Sequence, residues 1–587
     1  MPGQRGKPLD VLVVVPKQAR DPLIRDNRFN NLGAGFYLPY YMAYLKFCRK
    51  LGVEINLSRK GLPIPDGDGF TMLRPNENPS HTAMLLATLL DHHHFSFHVI
   101  DPPLGFPFSA RREFIRQLKR KPGILAVSTT YIISTETANG LIKLARRHSP
   151  RTRIMIGGQF LLTSRKSMDE IKGADVFVIG ECEDNLAPLV EALLGGDLHA
   201  LRSIKGIVFR EGDDWIHNPP SPPVDLEQSL PIKWQLAKNL FPPRKDLSGY
   251  IMIEDGRGCA FQCAYCSYRR NFAYRLKSVD KVIRELKAIP RQSKVTNVFF
   301  ASSAFTFPPE RALEIARRLR RENLPLRYGA YGRVQDIDET LVKELRSADF
   351  YWLFLGLESM NAAVLRLIKK RSTPEQIEKA VRLCVQAGII TDCSFIVGLP
   401  GESRESAGKI AEFLQNPHVG RYCLFPVADQ DTSDLAHRPE RYGFHRSDSL
   451  NWTHSRMSSR EIPCLMADII RKANGAGHAY STIIIDTLVG NEISSDPLTA
   501  VPHERVQPFY LLMETGTILY LENLLWHKRI DRTKLEAIAD KVKRDYLPRL
   551  SLGTRIREFL KISLMIQALK AIRFYILRKD KQDKTCG

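Results

Sequence analysis

Long hydrophobic runs are missing from this sequence. No stretch of its 587 residues approaches the roughly 18 uncharged apolar residues that a membrane span needs. The N-terminus, MPGQRGKPLDVLVVVPKQ, holds an apolar core of only five residues, so it reads as a first β-strand and not as a secretion signal. Cysteine is scarce as well: ten residues are too few for a disulfide scaffold in a chain this long. Three of them crowd into eight positions, and without a signal that clustering favours a metal site in a reducing compartment, which places the protein in the cytoplasm. Low-complexity tracts and fixed-period repeats are also absent.

What is present is an ordinary globular composition, 43% hydrophobic, with length for three or four domains. The net charge is +22, and residues 541–587 hold 13 Lys/Arg against 4 Asp/Glu, or +9 of that excess. A basic tail suits an anionic contact, whereas no uniformly basic nucleic-acid groove is evident. Within the tail, segment 556–579 has Ile562, Ile566, Leu569, Ile572 and Ile576 at helical spacing, with Lys561, Lys570 and Arg573 between. Such a helix could lie peripherally on a membrane or pack on the protein and show its charges to water.

Residues 1–200 alternate short β-branched runs with amphipathic stretches. VLVVV at 11–15, FSFHVID at 95–101, GILAVST at 123–129, TRIMIGG at 152–158 and ADVFVIGE at 174–181 read as strands, with helices such as HTAMLLATLL and TETANGLIKLARRH between. Near-continuous apolar strands separated by helices predict an α/β domain with a buried parallel sheet. Ligand loops then fall at the strands' carboxyl ends. Residues 17–79 fit less well and read either as an insertion or as an added helix and strand. Prolines in HNPPSPPVD and FPPRKD mark a linker over 201–245. The βα alternation resumes over 246–430, and 431–587 reads as mainly helical.

The stretch GRGCAFQCAYCSYRR sets Cys259, Cys263 and Cys266 in a C-x3-C-x2-C array after a strand. Three thiolates on one loop can hold three irons of a cubane and leave the fourth open, or, with a further ligand, can hold zinc. Behind the triplet come YRLKSVDKVIREL at 274–286, GRVQDIDETLVKEL at 332–345, LGLES at 355–359 and SFIVGLPGES at 394–403. In this order over some 180 residues, the motifs resemble the radical SAM superfamily, specifically its cobalamin-binding branch.

The resemblance implies a partial TIM-like (β/α) barrel behind a Rossmann-like cobalamin-binding domain. It implies a [4Fe-4S] cluster on the three cysteines, with S-adenosylmethionine (SAM) chelated at the open iron. Tyr265, Arg333, Glu358, Ser359, Gly398 and Gly401 would contact SAM, Arg333 through its carboxylate. GGQFLLTS and VIGECEDN resemble the cobalamin domain, which assigns Ser128, Thr129, Thr130, Gly157, Gly158, Gly180 and Glu181 to cobalamin. No D-x-H-x-x-G loop follows the first strand, and His92, His93 and His94 read as a surface cluster at a helix end. Acidic residues common after the second barrel strand in this branch are replaced by Ser302 and Ser303. Trp452, His454 and Met457 fall where the branch closes its barrel mouth, so Ser302, Ser303, Trp452 and His454 form the expected substrate region. The implied activity is methyl transfer to an unactivated carbon through a 5′-deoxyadenosyl radical and methylcobalamin. Cyclisation, rearrangement or oxidation with the same cofactors, and RNA modification, are the rival outcomes. The expected partners are a small-molecule or peptide substrate and an electron donor such as flavodoxin or ferredoxin, with no nucleic acid.

Overall fold

A computed structural model describes residues 9–16, most of 42–51, 62–66, 69–73, 78–102, 108–132, 135–163, 167–243, 247, 250–427, 431–447, 451–481, 503–526 and 528–546. The basic segment 556–579 lies outside the described residues.

Two seven-stranded sheets organise the chain. The first contains β1 (Val11–Val14), β2 (Phe97–Ile100), β3 (Ile124–Ser128), β4 (Arg153–Gly157), β5 (Val176–Val178), β6 (Ile207–Glu211) and β7 (Asp214–His217), in the spatial order 2-1-3-4-5-6-7. The first five are parallel, as their apolar runs predict, and β1 and β3 are buried along their whole length. β6 and β7 continue the sheet antiparallel, which corrects the linker placed over 201–245. Prolines from 219 onward dominated that reading. The turn Glu211–Asp214, with Gly212 at φ 62°, closes a hairpin whose Phe209 is fully buried.

The second sheet contains β8 (Tyr250–Ile253), β9 (Asn297–Phe300), β10 (Arg327–Gly332), β11 (Phe350–Glu358), β12 (Ile390–Val397), β13 (Arg421–Pro426) and β14 (Tyr480–Ser481). These strands lie in chain order and all run parallel, the arrangement of a partial barrel. The boundary expected at 430 is too early, because β14 pairs with β13 and helix Ile462–Gly475 packs beside it. Residues 444–458 add a three-stranded antiparallel sheet, so the segment beyond 431 is not helical throughout. Outward residues of the barrel strands join the outer helices in one core. Tyr250, Phe299, Tyr351 and Trp352 form a separate cluster on the inner side.

Within segment 17–79 the structure describes most of 42–51, the strands 62–66 and 69–73, and 78–79. Its hairpin Leu62–Asp66/Gly69–Leu73 pairs only with itself and touches the C-terminal helices His503–Trp526 and Arg532–Tyr546. Phe47 packs so closely on Gly516 that a Cβ there would stand 2.3 Å from its ring.

Where helix His503–Trp526 meets β14, Glu514 is fully buried and accepts hydrogen bonds from Ser481 N and Asn474 Nδ2, both 3.1 Å. Burial pushes its carboxyl up to about 8. A folded value above the unfolded one gives stability that is full below about pH 4.5 and is lost as pH rises to about 8. Glu514→Gln is therefore expected to flatten the fall in melting temperature between pH 5 and pH 9. The gain at the alkaline end should be on the order of 1–2 kcal/mol. Unchanged pH profiles for the two proteins would contradict this.

Candidate active site

β8 is followed by Gly256–Arg257, which pairs antiparallel with Arg275–Leu276 and closes the loop carrying Cys259, Cys263 and Cys266. Gly258 has φ 81°, and a Cβ there would stand 2.3 Å from Ala273 O, so only glycine fits. The loop is pinned at Ala264: its N–H donates to Ile368 O (2.9 Å) and its carbonyl accepts from Leu435 N (3.1 Å). Cys263 O accepts from Cys266 N (3.1 Å), and Tyr268 N donates to Cys266 Sγ (3.4 Å). Cys259 and Cys263 are half-buried and Cys266 is exposed. Burial pushes the Cys263 thiol up. Among the described residues no three His, Cys, Asp or Glu side chains converge on one ion. A cubane does not require convergence, since it takes one thiol per iron corner, and the donor set is three cysteines, which fits such a cluster.

Around this loop stand the ends of the next barrel strands. The Arg333 guanidinium lies 3.2 Å from the ring centre of Phe261, inside the cysteine array, and 3.5 Å from Asp336. Glu358 closes β11 with φ 70°, a left-handed conformation that a non-glycine residue holds only under constraint. Its carboxylate meets Lys370 Nζ at 2.8 Å with both side chains buried. Burial, then the Glu358 carboxylate, raises the Tyr265 phenol well above its usual value. Ser359 Oγ donates to Glu402 Oε1 (3.3 Å), and Glu402 Oε2 accepts from Gly398 N (2.7 Å). The fully buried Glu402 thereby joins the strand ends of β11 and β12, and burial pushes its carboxyl up to about 7. Gly398 (φ 94°) and Gly401 (φ 81°) shape the loop after β12.

Trp452 and His454 were expected at the barrel mouth, but both are buried. The Trp452 indole packs on Gly398, where a Cβ would stand 2.4 Å from it, and its Nε1 donates to Val427 O (3.1 Å). His454 stacks on Trp452 at 5.5 Å between rings, and Met457 is buried beside them. Ser302 is buried, with Oγ unpartnered among the described residues, and Ser303 is exposed.

At the carboxyl ends of β3 to β5 a cavity of about 240 Å³ opens between the two sheets' domains. Ser128, Thr130, Gly157, Gly158, Gly180 and Glu181 line it on the N-terminal side, and Glu254, Arg257, Tyr268 and Phe272 on the barrel side. Thr129 is turned away: it is fully buried and its hydroxyl donates to Gly157 O (3.0 Å). Gly158 has φ 117°, and a Cβ would stand 2.7 Å from Thr129 N and 2.8 Å from Thr130 N, whereas one on Gly180 would meet nothing within 4 Å. A glycine-edged opening at the ends of parallel strands, backed by Leu85, Leu86 and Met155, offers backbone and apolar surface to a ligand. Gly158→Ala should strain the backbone by about 1–3 kcal/mol and displace the 128–130 loop. The expected result is weaker cobalamin retention on gel filtration, and undiminished retention would contradict this role for the cavity.

Sequence reasoning missed what joins the two halves. Arg257, two residues before the first cysteine, contacts Glu181 (3.0 Å), Glu183 (2.6 Å) and Glu254 (2.7 Å). Arg275 also pairs with Glu181 (3.0 Å). Glu181 is thus engaged in the domain contact as well as lining the cavity. His81 was missed too. Its helix begins at Ser80, which the buried Asp101 carboxylate holds through the Ser80 N–H (2.8 Å) and hydroxyl (3.1 Å). That anchor sets His81 on the cavity wall, where burial keeps its imidazole below its ordinary value. By contrast, His92, His93 and His94 are exposed at the far end of the same helix.

Residues 253–414 match the radical SAM superfamily. Over those residues the chain is similar to radical SAM domains, and its fold resembles that of solved cobalamin-dependent radical SAM enzymes. Among relatives, an uncharacterized methyltransferase of Pyrococcus horikoshii is 28% identical over 316 residues, 53% of this chain and 67% of that protein. The anaerobic magnesium-protoporphyrin IX monomethyl ester cyclase of Cereibacter sphaeroides is 27% identical over 340 residues, 56% of this chain and 55% of the cyclase. The structure of OxsB, a cobalamin-dependent SAM radical enzyme with aqua-cobalamin and SAM bound, aligns with a TM-score of 0.55 at 15% identity, covering 86% of this chain and 78% of OxsB. The chain thus spans between about half and two thirds of the length of these two relatives.

Proposed function

We propose that this protein is a cobalamin-dependent radical SAM methyltransferase that acts on an unactivated carbon of a small-molecule substrate. The observation that carries the reading is the meeting of two sites: the glycine-edged cavity is closed on the barrel side by Arg257, Tyr268 and Phe272, which flank the cysteine loop, and Arg257 bonds Glu181 and Glu183 on one side and Glu254 on the other. When bound, the cluster supplies one electron to the SAM sulfonium and cobalamin supplies the methyl group.

The chain's own share is holding and orienting. Cys259, Cys263 and Cys266 hold three iron corners, and Ala264 fixes their loop. Arg333, held flat on Phe261, offers a planar fork to the SAM carboxylate. Glu358 would meet the ribose and methionine portion, and the buried Ser359 would hold Glu402 behind it. The positive-φ backbone at Gly398 and Gly401 shapes the loop after β12 that would face the nucleoside, with Trp452 filling the space beside Gly398. Trp452 and His454 support that loop from behind. Ser128, Thr130, Gly157, Gly158 and Gly180, which line the cavity, would hold cobalamin. A one-electron donor of the flavodoxin or ferredoxin kind must reach the cluster, which suits a reducing cytoplasmic setting. Among the described residues no helix is long and apolar enough to cross a membrane.

The test is mass analysis of products from reconstituted enzyme, SAM, reductant and candidate substrates. A product gain of one CH2 with deoxyadenosine supports methyl transfer. Deoxyadenosine with a product lacking that gain supports the second reading, a rearrangement or cyclisation, which the similarity to the ester cyclase favours.

A further inference from the structure

The barrel's inner wall carries information about the substrate. Along a barrel strand, side chains alternate between the outer helices and the enclosed space. On β11, Leu353 and Leu355 are fully buried under the helices while Phe354 between them keeps access to solvent. The same holds for Met252 between Ile251 and Ile253, and for Ile396 between Phe395 and Val397. Tyr331 on β10 and Phe425 on β13 are likewise half-buried beside the fully buried Ala330 and Leu424.

Three of these residues share one surface, while Ile396 also packs against the helix-side core. Met252, Tyr331 and Phe354 pack on the inner aromatic cluster and not on the helix-side core. Tyr331 is in register with Phe354, and Ile396 with Phe425. Tyr331 meets Phe354 edge to face, with ring centres 5.4 Å apart. The charges at the floor satisfy each other: Arg421 Nε donates to Asp392 (2.7 Å), Trp352 Nε1 donates to the same carboxylate (2.8 Å), and all three are buried. Above, Glu358 is committed to Lys370. Between floor and rim, the wall offers hydrocarbon and aromatic surface, interrupted by the uncharged Ser394 on β12 and Cys423 on β13.

The geometry points to a substrate whose reacting portion is an uncharged hydrocarbon group, alkyl or carbocyclic, and not an ionised metabolite or a peptide backbone. A charge placed against Phe354 and Ile396 would shed its water and find no partner. An apolar group there gains by leaving water and needs none. The inference deepens the radical SAM reading and rests on it, because that reading makes the barrel interior the space where the substrate carbon sits.

The experiment uses the full chain, reconstituted without oxygen, and two photoactivated probes. One is a dodecyl diazirine, and the other is a short diazirine bearing a carboxylate. Insertion sites are mapped by peptide mass spectrometry, and deoxyadenosine formation is scored separately on the same preparation. The expected result is dodecyl labelling at Met252, Tyr331, Phe354, Ile396 or Phe425, with the carboxylate probe labelling these positions about tenfold less or lower. Phe354→Asp, and independently Ile396→Asp on another strand, should cut the dodecyl labelling about tenfold or more, while Phe354→Leu keeps it. Dodecyl labelling confined to the outer surface, or equal labelling of the wall by both probes, overturns the hydrocarbon assignment even where deoxyadenosine forms. Absence of deoxyadenosine overturns the radical SAM reading, and the assignment with it.

Discussion

Cys263→Ala will abolish SAM cleavage. The expected loss of deoxyadenosine is on the order of a thousandfold or more, because removing one thiol removes an iron ligand and not merely an orienting contact. Cys263 sits at the centre of the pinned loop, with its carbonyl bonded to Cys266 N, so no neighbouring thiol can slide into its place without breaking the Ala264 anchors. Absorbance of the reconstituted protein should show loss or degradation of the cluster in the variant. Circular dichroism should be unchanged, since the side chain is only half-buried and lies outside the barrel strands. Wild-type rates of deoxyadenosine formation by Cys263→Ala would refute the assignment of the loop.

Arg257→Met should have the second-largest effect, through position and not through contact with reacting atoms. Its removal leaves Glu181, Glu183 and Glu254 crowded at a nearly closed domain contact, with Arg275 the remaining cation paired to Glu181. Breaking a buried ion cluster from one side costs about 3–5 kcal/mol, because the stranded charges keep their desolvation penalty. Two consequences follow. The cavity edge at Gly180–Glu181 should lose its fixed distance to the cysteine loop, and cobalamin affinity should fall about tenfold or more. Cluster assembly should survive, since Arg257 is no iron ligand. The double variant Arg257→Met/Glu183→Gln, which removes one stranded charge, should recover part of the loss. A merely structural arginine would lower the melting temperature without separating cobalamin affinity from cluster content, and that result would contradict the coupling role.

Most strands and the cysteine loop were legible because their signals are local. The runs VLVVV and ILAVS could only be buried parallel strands once helices flanked them, and the C-x3-C-x2-C spacing carries its chemistry within eight residues. Three kinds of feature were not legible. The hairpin Ile207–His217 was masked by the prolines that follow it. β14 is two residues long and finds β13 across 53 intervening residues, too short a signal for any periodicity. The couplings Ser359–Glu402–Gly398 and Arg257–Glu181–Glu183 join residues distant in sequence, where only the fold brings the charges together. Trp452 falls in the expected substrate region because its segment resembles the one that closes the barrel mouth in the cobalamin-binding branch. The close approach at Gly398, which the indole fills, has no counterpart in the local sequence.

The most direct measurement is anaerobic reconstitution of the full chain with iron, sulfide and cobalamin, followed by SAM and dithionite. Metal analysis should return about four irons with four sulfides per chain and no stoichiometric zinc. The protein should retain cobalamin through gel filtration and release deoxyadenosine and methionine from SAM. Protein that returns zinc alone, or intact clusters that leave SAM uncleaved, would contradict the account at its foundation.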